Sequence, residues 1–185
     1  MRIMLHSTRF MTRQDPDPAL LRPTAEGLYC EAGGFYVDPW RPVARAVVTH
    51  AHADHATRGC FAYLGAASGV DLLRERVGTA ADVEGIPFGK RLKIGEVSVS
   101  LHPAGHVLGS AQVRIEHKGQ VWVVSGDFKT QEDRSCEAFE PVPCNTFITE
   151  STFGLPVYRW PEPDAVFDEI DVWWRRNQER GRVSV

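Results

Sequence analysis

The sequence lacks both a long apolar run and an excess of positive charge. None of its apolar runs approaches the ~18 residues of a membrane-spanning helix, and its first residues lack the continuous apolar segment of a signal peptide. The net charge of the 185 residues is −3, which excludes a general positive field for nucleic acid but leaves local basic patches open. We therefore predict a cytoplasmic protein with no membrane partner.

Cysteine is also scarce. The four cysteines are scattered and form no CxxC pair: Cys30, Cys60, Cys136 and Cys144. This spacing favours reduced thiols over a disulfide framework. The rest of the composition is ordinary, with 43% hydrophobic and 24% charged residues, which fits one globular domain with a sizeable core.

Short β-type runs separated by glycine and proline follow residue 22. We predict two strands around Gly33-Gly34, the second ending at Asp38, and a buried strand over residues 44–49. Further strands are predicted near Tyr63, as a pair within residues 91–106, as a hairpin turning at Lys118-Gly119, and over residues 145–150. Alternation places three apolar residues of the strand pair on one face: Val97, Val99 and Leu101.

Three helices are predicted. A short one follows His55, and a second covers residues 69–78 with a stop at Gly78. The residues of the second helix that should face the core are Leu72, Leu73 and Val77. The third helix lies within residues 163–181, with Asp164 as its N-cap and Gly181 directly after it. Its apolar face consists of Val166, Phe167, Ile170, Trp173 and Trp174, and residues 182–185 are typical of the start of another strand.

Four groups able to bind a metal fall within six positions of the stretch THAHADHATRG, residues 49–59: His50, His52, Asp54 and His55. Residues i and i+2 of an extended segment project to the same side, so a strand ending in His50-x-His52 directs both imidazoles into one pocket. Where the chain then turns, Asp54 and His55 can face a neighbouring point. This spacing favours two ions a few ångströms apart over one closed structural site. The alternative is a polar loop that happens to be rich in histidine.

Further ligands must come from other segments. His106 follows a strand in the loop PAGHVLGSA, where Gly105 and Gly109 would let the backbone crowd an ion. Asp127 ends an apolar strand in VVSGDF, and its two oxygens could bridge two metals, although a single aspartate at a strand end is usually a turn or cap residue. The other histidines are expected to face solvent or to bond locally: His6, His102 and His117.

These motifs resemble those of a known superfamily. HAHADH has the HxHxDH pattern, and with the downstream GH and SGD elements it is similar to the metallo-β-lactamase fold. TESTFG, residues 149–154, resembles the first motif of the β-CASP nucleases, in which an acidic residue is followed by Ser/Thr-Thr at a strand end. Residues 21–56 further resemble the bacterial ligase-associated DNA exonucleases, a family also labelled mRNA 3′-end processing factors.

The resemblance extends from Leu21 to Val185 and implies an α/β fold of the αββα type, with mixed β-sheets flanked by helices, of which this chain holds the N-terminal part. Three segments are expected: a polar N-terminal tail over residues 1–22, a metallo-β-lactamase-like core over 23–160, and the start of a β-CASP-type insertion over 161–185. The family closes its second metal site with one further histidine, and no histidine follows His117 here. We therefore expect that the chain is cut short and that its second site lacks one ligand.

The resemblance also implies a role for each candidate. The family's zinc ligands fall on six residues of this chain: one zinc at His50, His52 and His106, the other at Asp54 and His55, and Asp127 as the bridge. Asp38 would orient a ligand histidine. Glu150 would be the acidic β-CASP residue, for which an ordinary strand-end glutamate is the alternative. The catalytic candidates are therefore Asp54, Glu150 and Asp38, and Mn²⁺ could replace Zn²⁺.

The function implied is that of a two-zinc hydrolase that cleaves phosphodiester bonds of nucleic acid, more readily DNA than RNA, as an exonuclease in DNA repair or ligation with a DNA ligase as partner. Three basic residues are candidates for phosphate contact, with solvated surface charge as the alternative: Arg58, Lys129 and Arg134. Two other functions remain open. One is a small-molecule hydrolase for thioesters, lactones or β-lactams, which the net charge of −3 fits better. The other is an inactive metal-binding fragment.

Overall fold

The computed structural model describes residues 19–152, 154–178 and 181. The chain divides into two compact units between Glu150 and Ser151, whereas the sequence pattern predicted a boundary after residue 160. Leu20 and Leu21 are buried in the main core of the first unit, so the last residues of the predicted tail belong to the folded protein. Residues 1–18 of that tail lie outside the described residues.

Six strands form the first sheet, in the order in which they occur along the chain: β1 (Arg22–Pro23), β2 (Leu28–Cys30), β3 (Phe35–Val37), β4 (Arg45–Val47), β5 (Ala62–Ala66) and β6 (Asp82–Ile86). The first three strands are antiparallel neighbours, and β3 to β6 are parallel. The strands predicted around Gly33-Gly34, over residues 44–49 and near Tyr63 are confirmed. Apolar residues of β4 are buried on both faces, as is usual in a parallel sheet.

Five strands form the second sheet: β7 (Leu92–Ile94), β8 (Val97–Pro103), β9 (Ala111–His117), β10 (Gln120–Val124) and β11 (Thr146–Ile148). Their order is β11-β10-β9-β8-β7, with β7 to β10 antiparallel and β11 parallel to β10. The predicted strand pair, hairpin and last strand are confirmed. Lys118 and Gly119 form the two-residue turn with φ of +47° and +80°, the positive values that favour a tight hairpin.

The main core lies between the two sheets. Val97, Val99 and Leu101 are each 0% exposed on the inner face of β8, as their two-residue spacing predicted. They share one apolar cluster with Val37 of β3 and Val47 of β4. Burial of these side chains between two sheets is the main stabilising term of the first unit.

Helix α1 (Val70–Val77) follows a 3₁₀ turn (Ala67–Gly69) and packs on the opposite face of the first sheet. Leu73 and Val77 are buried there, and Gly78, with φ of +113°, ends the helix as predicted. Leu72 is 48% exposed, so its predicted inward orientation is wrong. Residues four apart share a helix face, whereas the residue next to one of them is turned away by about 100°.

The predicted short helix after His55 is also wrong, because residues 51–56 form turns and bends and no helix follows before β5. The backbone N–H groups of His55 and Ala56 both donate to the carbonyl oxygen of His52, at 3.2 and 2.9 Å, which closes a single turn. Gly59 then adopts a φ of +87°, outside the helical region. The turn therefore cannot continue as a helix.

Mixed β-sheets are confirmed, but within residues 19–150 only the first sheet carries an α-helix. A loop lies on the outer face of the second sheet instead. The side-chain amide of Gln112 on β9 donates to the carbonyl oxygen of Glu140 at 2.6 Å, and the rings of Phe128 and Phe139 lie 5.6 Å apart. The predicted αββα layering is thus present here as two sheets with one helical layer.

The second unit contains helix α2 (Pro163–Gln178). Because the helix begins at Pro163, Asp164 lies in its first turn and is not its N-cap as predicted. The predicted apolar face is exposed in part, with Phe167 62% and Trp173 49% accessible. Gly181 follows the helix, as expected, with φ of +80°. The predicted strand over residues 182–185 lies outside the described residues, and the assignment of this unit to an insertion stays a prediction.

Over the described residues, no helix combines the length and the apolar character that crossing a membrane requires. All four cysteines are free thiols, and Cys30 and Cys60 are buried.

Candidate metal centre

Four chain segments end at one edge of the two sheets and direct polar side chains toward a common point. Asp38 directly follows β3, and His50 follows β4 after two buried residues. Since β3 and β4 are parallel neighbours, their carboxyl ends lie side by side. His106 lies in the loop after β8, and Asp127 lies in the segment after β10. The antiparallel pairing of β8, β9 and β10 brings these two segments to the same edge.

Three imidazoles and one carboxylate form the first donor set: His50, His52, His106 and Asp127. Their ligand atoms all lie within 4.8 Å of one another. His52 Nδ1 is 2.9 Å from His50 Nε2 and 3.4 Å from His106 Nε2. Asp127 Oδ2 is 3.8 Å from His50 Nε2 and 3.6 Å from His106 Nε2. Ligands held about 2 Å from a tetrahedral zinc ion are about 3.3 Å apart, so these four separations are close to the spacing that one such ion requires.

The other oxygen of Asp127 faces a second donor set. Asp127 Oδ1 is 3.3 Å from His55 Nε2, and Asp54 Oδ2 is 3.6 Å from the same nitrogen. Asp127 therefore directs one oxygen toward each donor set, which is the arrangement that a bridging carboxylate requires. Within the described part of the chain, the second set consists of one imidazole and two carboxylates.

Asp38 holds His55 from the side away from the donors. His55 Nδ1 lies 2.7 Å from Asp38 Oδ2, which leaves Nε2 to face Asp127. Asp38 also accepts hydrogen bonds from the backbone N–H and the hydroxyl of Thr49, at 2.8 and 2.6 Å. Its φ of +43° is uncommon outside glycine, although aspartate is one of the residues that adopt it. The role predicted for Asp38, to orient a ligand histidine, agrees with this geometry.

Burial and charge act differently on the three inner histidines. Burial, with a contribution from the neighbouring imidazoles, lowers the pKa of His50 to about 2. Burial also lowers the pKa of His106, although the charge of Asp127 opposes it. Burial acts in the same direction on His55, but the hydrogen bond to Asp38 and the charges of the nearby aspartates outweigh it and raise its pKa. Because neutral imidazole is the form that binds a metal, the surroundings of His50 and His106 favour ligation.

The donor chemistry fits zinc. His52 Nδ1 lies within hydrogen-bonding distance of a nitrogen from each of two other imidazoles, His50 and His106. The three nitrogens converge on one point, so their lone pairs can be directed at a common cation. Neutral nitrogen donors with a carboxylate oxygen form a set that zinc prefers over magnesium or calcium.

Two hydroxyl residues that position the site were not identified from the sequence. The hydroxyl of buried Ser110 accepts hydrogen bonds from the backbone N–H groups of His106 and Val107, at 3.0 and 3.2 Å. Thr49, also buried, donates its hydroxyl proton to Asp38. Both residues lie next to recognised motifs, but a single serine or threonine has no spacing pattern that distinguishes a positioning role.

The glycines beside His106 have a packing role that was not predicted from the sequence. Gly105 has φ of +72° and packs against the carbonyl oxygen of Lys129, and Gly109 has φ of +75° and packs against Gly69. A Cβ atom at either position would overlap this backbone. The glycines therefore allow two backbone segments to approach each other, and the expectation that they let the backbone crowd an ion stays a prediction.

Replacing Gly126 with alanine is expected to weaken zinc binding more than the same change at Gly119. Both glycines have positive φ, +57° and +80°, so alanine costs each about 1 kcal/mol in backbone strain. A Cβ on Gly126 would also lie 2.6 Å from Cβ and Oγ1 of Thr49, whereas Gly119 faces open space. The displaced hydroxyl would release Asp38 and, through it, His55.

Zinc affinity by chelator competition and stability by urea denaturation check this expectation. Gly119→Ala should keep wild-type zinc affinity. Equal zinc affinities for the two variants would show that the packing on Thr49 does not support the metal centre.

Two of the basic candidates for phosphate contact form bonds that serve the protein's own structure. Arg58 donates from Nε to the carbonyl oxygen of Arg76 at 2.7 Å. Lys129 forms a 3.0 Å ion pair with Asp133. Arg134 is exposed. The contacts of Arg58 and Lys129 serve the protein's own structure, so a role in binding phosphate stays a prediction.

Asp54 and Glu150 lie at the margin of the site. The side chain of Asp54 is 79% exposed although its carboxylate is near His55. The charge of Glu150 acts to raise the pKa of His106, which places Glu150 within electrostatic range of the first donor set. His102 and His117 form local hydrogen bonds elsewhere, to Ser100 and Glu140 and to the carbonyl oxygen of residue 96, as expected of histidines that are not ligands.

Sequence similarity extends to curated proteins of two kinds. The chain is 36% identical over 149 residues to a probable DNA ligase of Opitutus terrae, a match that covers 79% of this chain and 14% of that protein. It is 36% identical over 78 residues to the cleavage and polyadenylation specificity factor subunit 3 of Dictyostelium discoideum, covering 41% of this chain and 10% of that protein. The endoribonuclease YSH1 of Gibberella zeae is 33% identical over 85 residues, covering 44% of this chain and 10% of that protein. No family model matches the chain.

The chain thus spans only 14% of the length of the ligase and 10% of each of the other two relatives. Among solved structures, the metallo-β-lactamase SMB-1 is similar at 23% identity over 49% of this chain and 45% of that one, with a TM-score of 0.38.

Proposed function

We propose a metal-dependent nuclease function for this chain, which has the metallo-β-lactamase fold and is related to the β-CASP endonucleases and to part of a probable DNA ligase. Its cluster of His50, His52, His106 and Asp127 is typical of the zinc sites of that superfamily. From this relationship we infer a metal-dependent hydrolase. The finer step, from hydrolase to nuclease acting on DNA, is the proposal.

The observation that carries the proposal is the division of Asp127 between two donor sets. Its Oδ2 faces His50 and His106 at 3.8 and 3.6 Å, while its Oδ1 faces His55 at 3.3 Å. One carboxylate that serves two neighbouring sites suits a pair of cations a few ångströms apart, the spacing used to hold both oxygens of an in-line phosphoryl displacement. A single closed structural site needs no such bridge.

Zinc held by these residues would supply a Lewis acid that offsets the charge of a phosphodiester and makes water acidic enough to attack near neutral pH. The residues of the chain do the rest. Asp127 fixes the distance between the two donor sets because it contributes one oxygen to each. Asp38 fixes the ring of His55 through Nδ1, so that Nε2 stays directed at Asp127. Preorganised donors of this kind need no rearrangement when charge develops on the substrate.

Two exposed carboxylates are placed to handle the attacking water. Asp54 is exposed to incoming substrate and next to His55, so it can accept a hydrogen bond from the water and orient it toward phosphorus. Glu150 lies within electrostatic range of His106 and can take up or return a proton at the same margin. We propose catalytic roles for both.

Substrate, partner and location extend the proposal. A nucleic-acid substrate is supported by the relatives, which are named as a probable DNA ligase and as endoribonucleases. The longest match, to the ligase, favours DNA as substrate and a ligase as partner. Exonuclease action and a cytoplasmic location complete the proposal. Mn²⁺ is a second candidate metal, since it accepts the same nitrogen and oxygen donors.

A nuclease assay on the purified protein tests the proposal. Labelled single- and double-stranded DNA, and RNA of the same sequence, are incubated with the protein and Zn²⁺ or Mn²⁺. We expect cleavage that EDTA abolishes and that an Asp54→Ala, His55→Ala double variant lowers by at least about 100-fold, since both changes remove donors of the second set. His117→Ala is the matched control, because that histidine lies on the hairpin outside the donor sets.

A thioester and lactone panel run beside the nuclease assay separates the alternatives. Turnover of those substrates without cleavage of nucleic acid would favour the small-molecule hydrolase. Zinc near zero or one ion per chain, with no turnover of any substrate, would favour an inactive metal-binding fragment, whereas zinc near two ions per chain would support a competent site. Cleavage that persists in EDTA or in the double variant would contradict the proposal.

A further inference from the structure

Helix α1 is connected by an arginine to the metal-binding loop, residues 50–55. The proposed function does not use this arginine. Arg76, in the last turn of α1, donates from Nε to the carbonyl oxygen of Ala51 at 3.0 Å. Ala51 is the residue between the ligands His50 and His52. The contact spans 25 positions of sequence, so it ties the loop to an element that is not part of it.

The helix end that carries Arg76 is itself held in place. Leu73 and Val77 bury one face of α1 against the first sheet. On the other side, Arg58 donates from Nε to the carbonyl oxygen of Arg76 at 2.7 Å. This bond satisfies one of the carbonyl groups left unpaired at the end of a helix, where a positive charge is also favourable. The backbone of Arg76 is therefore held in place, which limits the positions that its guanidinium can reach.

His52 is the ligand of the first set that most needs such a support. His50 is 4% exposed and closely follows β4, so packing fixes its ring. His52 is exposed, and the bonds to its own carbonyl oxygen come from later residues of the same loop. The carbonyl of Ala51 belongs to the peptide group that precedes His52. Fixing that carbonyl sets the orientation of this peptide and, with it, the direction of the His52 side chain.

We propose that Arg76 is a positioning residue, whose hydrogen bond from α1 to the carbonyl oxygen of Ala51 holds His52 in the geometry of the first donor set. Residues that hold metal ligands in place through hydrogen bonds orient those ligands, and losing such a residue usually weakens metal affinity by about 10- to 100-fold. Because the bond is exposed to water, the lower end of that range applies. The inference rests on the metal site of the proposed function but not on its nuclease activity.

Three variants of α1 isolate the hydrogen bond. Arg76→Met keeps the side chain as far as the position of Nε, where it places a methyl group that cannot donate a hydrogen bond. Arg76→Gln places an amide N–H at that same position and, like the Met variant, loses the charge and the outer atoms of the guanidinium. Arg74→Met is the matched control, because Arg74 lies on the same helix and donates to the carbonyl oxygen of Val83 at 3.1 Å, remote from the donor sets. Both variants of Arg76 lose the same charge, so the difference between their zinc affinities reports the hydrogen bond.

Metal binding is the measurement, with zinc affinity from chelator competition, the visible spectrum of the Co²⁺-substituted protein, and the urea midpoint of the metal-free protein. We expect Arg76→Met to weaken zinc binding by about tenfold and to alter the Co²⁺ spectrum. Arg76→Gln should stay within about twofold of wild type, the small residual change being the lost charge. Arg74→Met should lower the urea midpoint without changing zinc affinity, since the bonds it loses are to Val83 and Asp71, outside the donor sets.

The other outcomes overturn the proposal. Equal losses of affinity in Arg76→Met and Arg76→Gln would assign the effect to charge and not to the hydrogen bond. Equal losses in Arg76→Met and Arg74→Met would assign it to the stability of α1. Wild-type affinity and spectrum in Arg76→Met would show that Ala51 needs no support. Since no substrate is involved, these results hold whether or not the protein cleaves nucleic acid.

Discussion

Replacing Asp127 with alanine is expected to remove at least one zinc ion per chain and to lower metal-dependent hydrolysis by at least about 100-fold. Asp127 is the only residue whose two ligand atoms face different donor sets within the described part of the chain, with Oδ2 toward His50 and His106 and Oδ1 toward His55. No other carboxylate described there lies within 4.8 Å of all three nitrogens of the first set. Its loss therefore affects both sets together.

Asp133→Ala is the matched control for this variant. The carboxylates of Asp127 and Asp133 are both 33% exposed, but Asp133 pairs with Lys129 and with Ser135, outside the donor sets. Elemental analysis of the two purified variants and the wild type gives the zinc content, and the nuclease assay gives the rate. Wild-type zinc content in Asp127→Ala would contradict the bridging role, whatever the rate.

Replacing Leu101 with alanine is expected to destabilise the protein by about 2–5 kcal/mol. Leu101 is 0% exposed on β8, in the cluster between the two sheets. Removing its side chain loses the transfer free energy of the buried atoms and leaves a cavity that neighbours such as Val113, its cross-strand partner, fill only in part. The change lies near the end of the strand that leads to His106, so zinc must be held at constant concentration in the measurement.

Leu72→Ala provides the comparison, because the same atoms are removed from a side chain that is 48% exposed on α1. Its effect is expected to stay within about 0.5 kcal/mol, as for most surface changes. Urea denaturation followed by circular dichroism measures both variants. Similar losses for the two would mean that Leu72 faces the core, as the helix periodicity first predicted.

Local patterns were sufficient to identify the cluster of candidate donors over residues 50–55. Three histidines and an aspartate within six positions have few other uses, and alternation along an extended segment directs His50 and His52 to one side. Both properties depend on neighbouring residues alone. The same holds for the strands and the hairpin turn at Lys118-Gly119, whose alternation and turn chemistry are local.

Two predictions of helical structure failed. Leu72 was placed inward because periodicity does not say which side of α1 meets the sheet. The short helix after His55 was predicted without knowledge that Gly59 turns the chain away. The orientation of α1 depends on packing against a sheet that is remote in sequence, whereas Gly59 lies only four residues after His55.

The sequence by itself determined which side chains can bind a metal and that they follow strand ends, because side-chain chemistry and backbone alternation are properties of short segments. Only the tertiary structure decided that Asp127 divides its oxygens between two donor sets, that Asp38 holds His55, and that Arg76 reaches the loop from α1. These relations are distances between segments far apart along the chain. Packing of the two sheets sets those distances, and no local pattern encodes them.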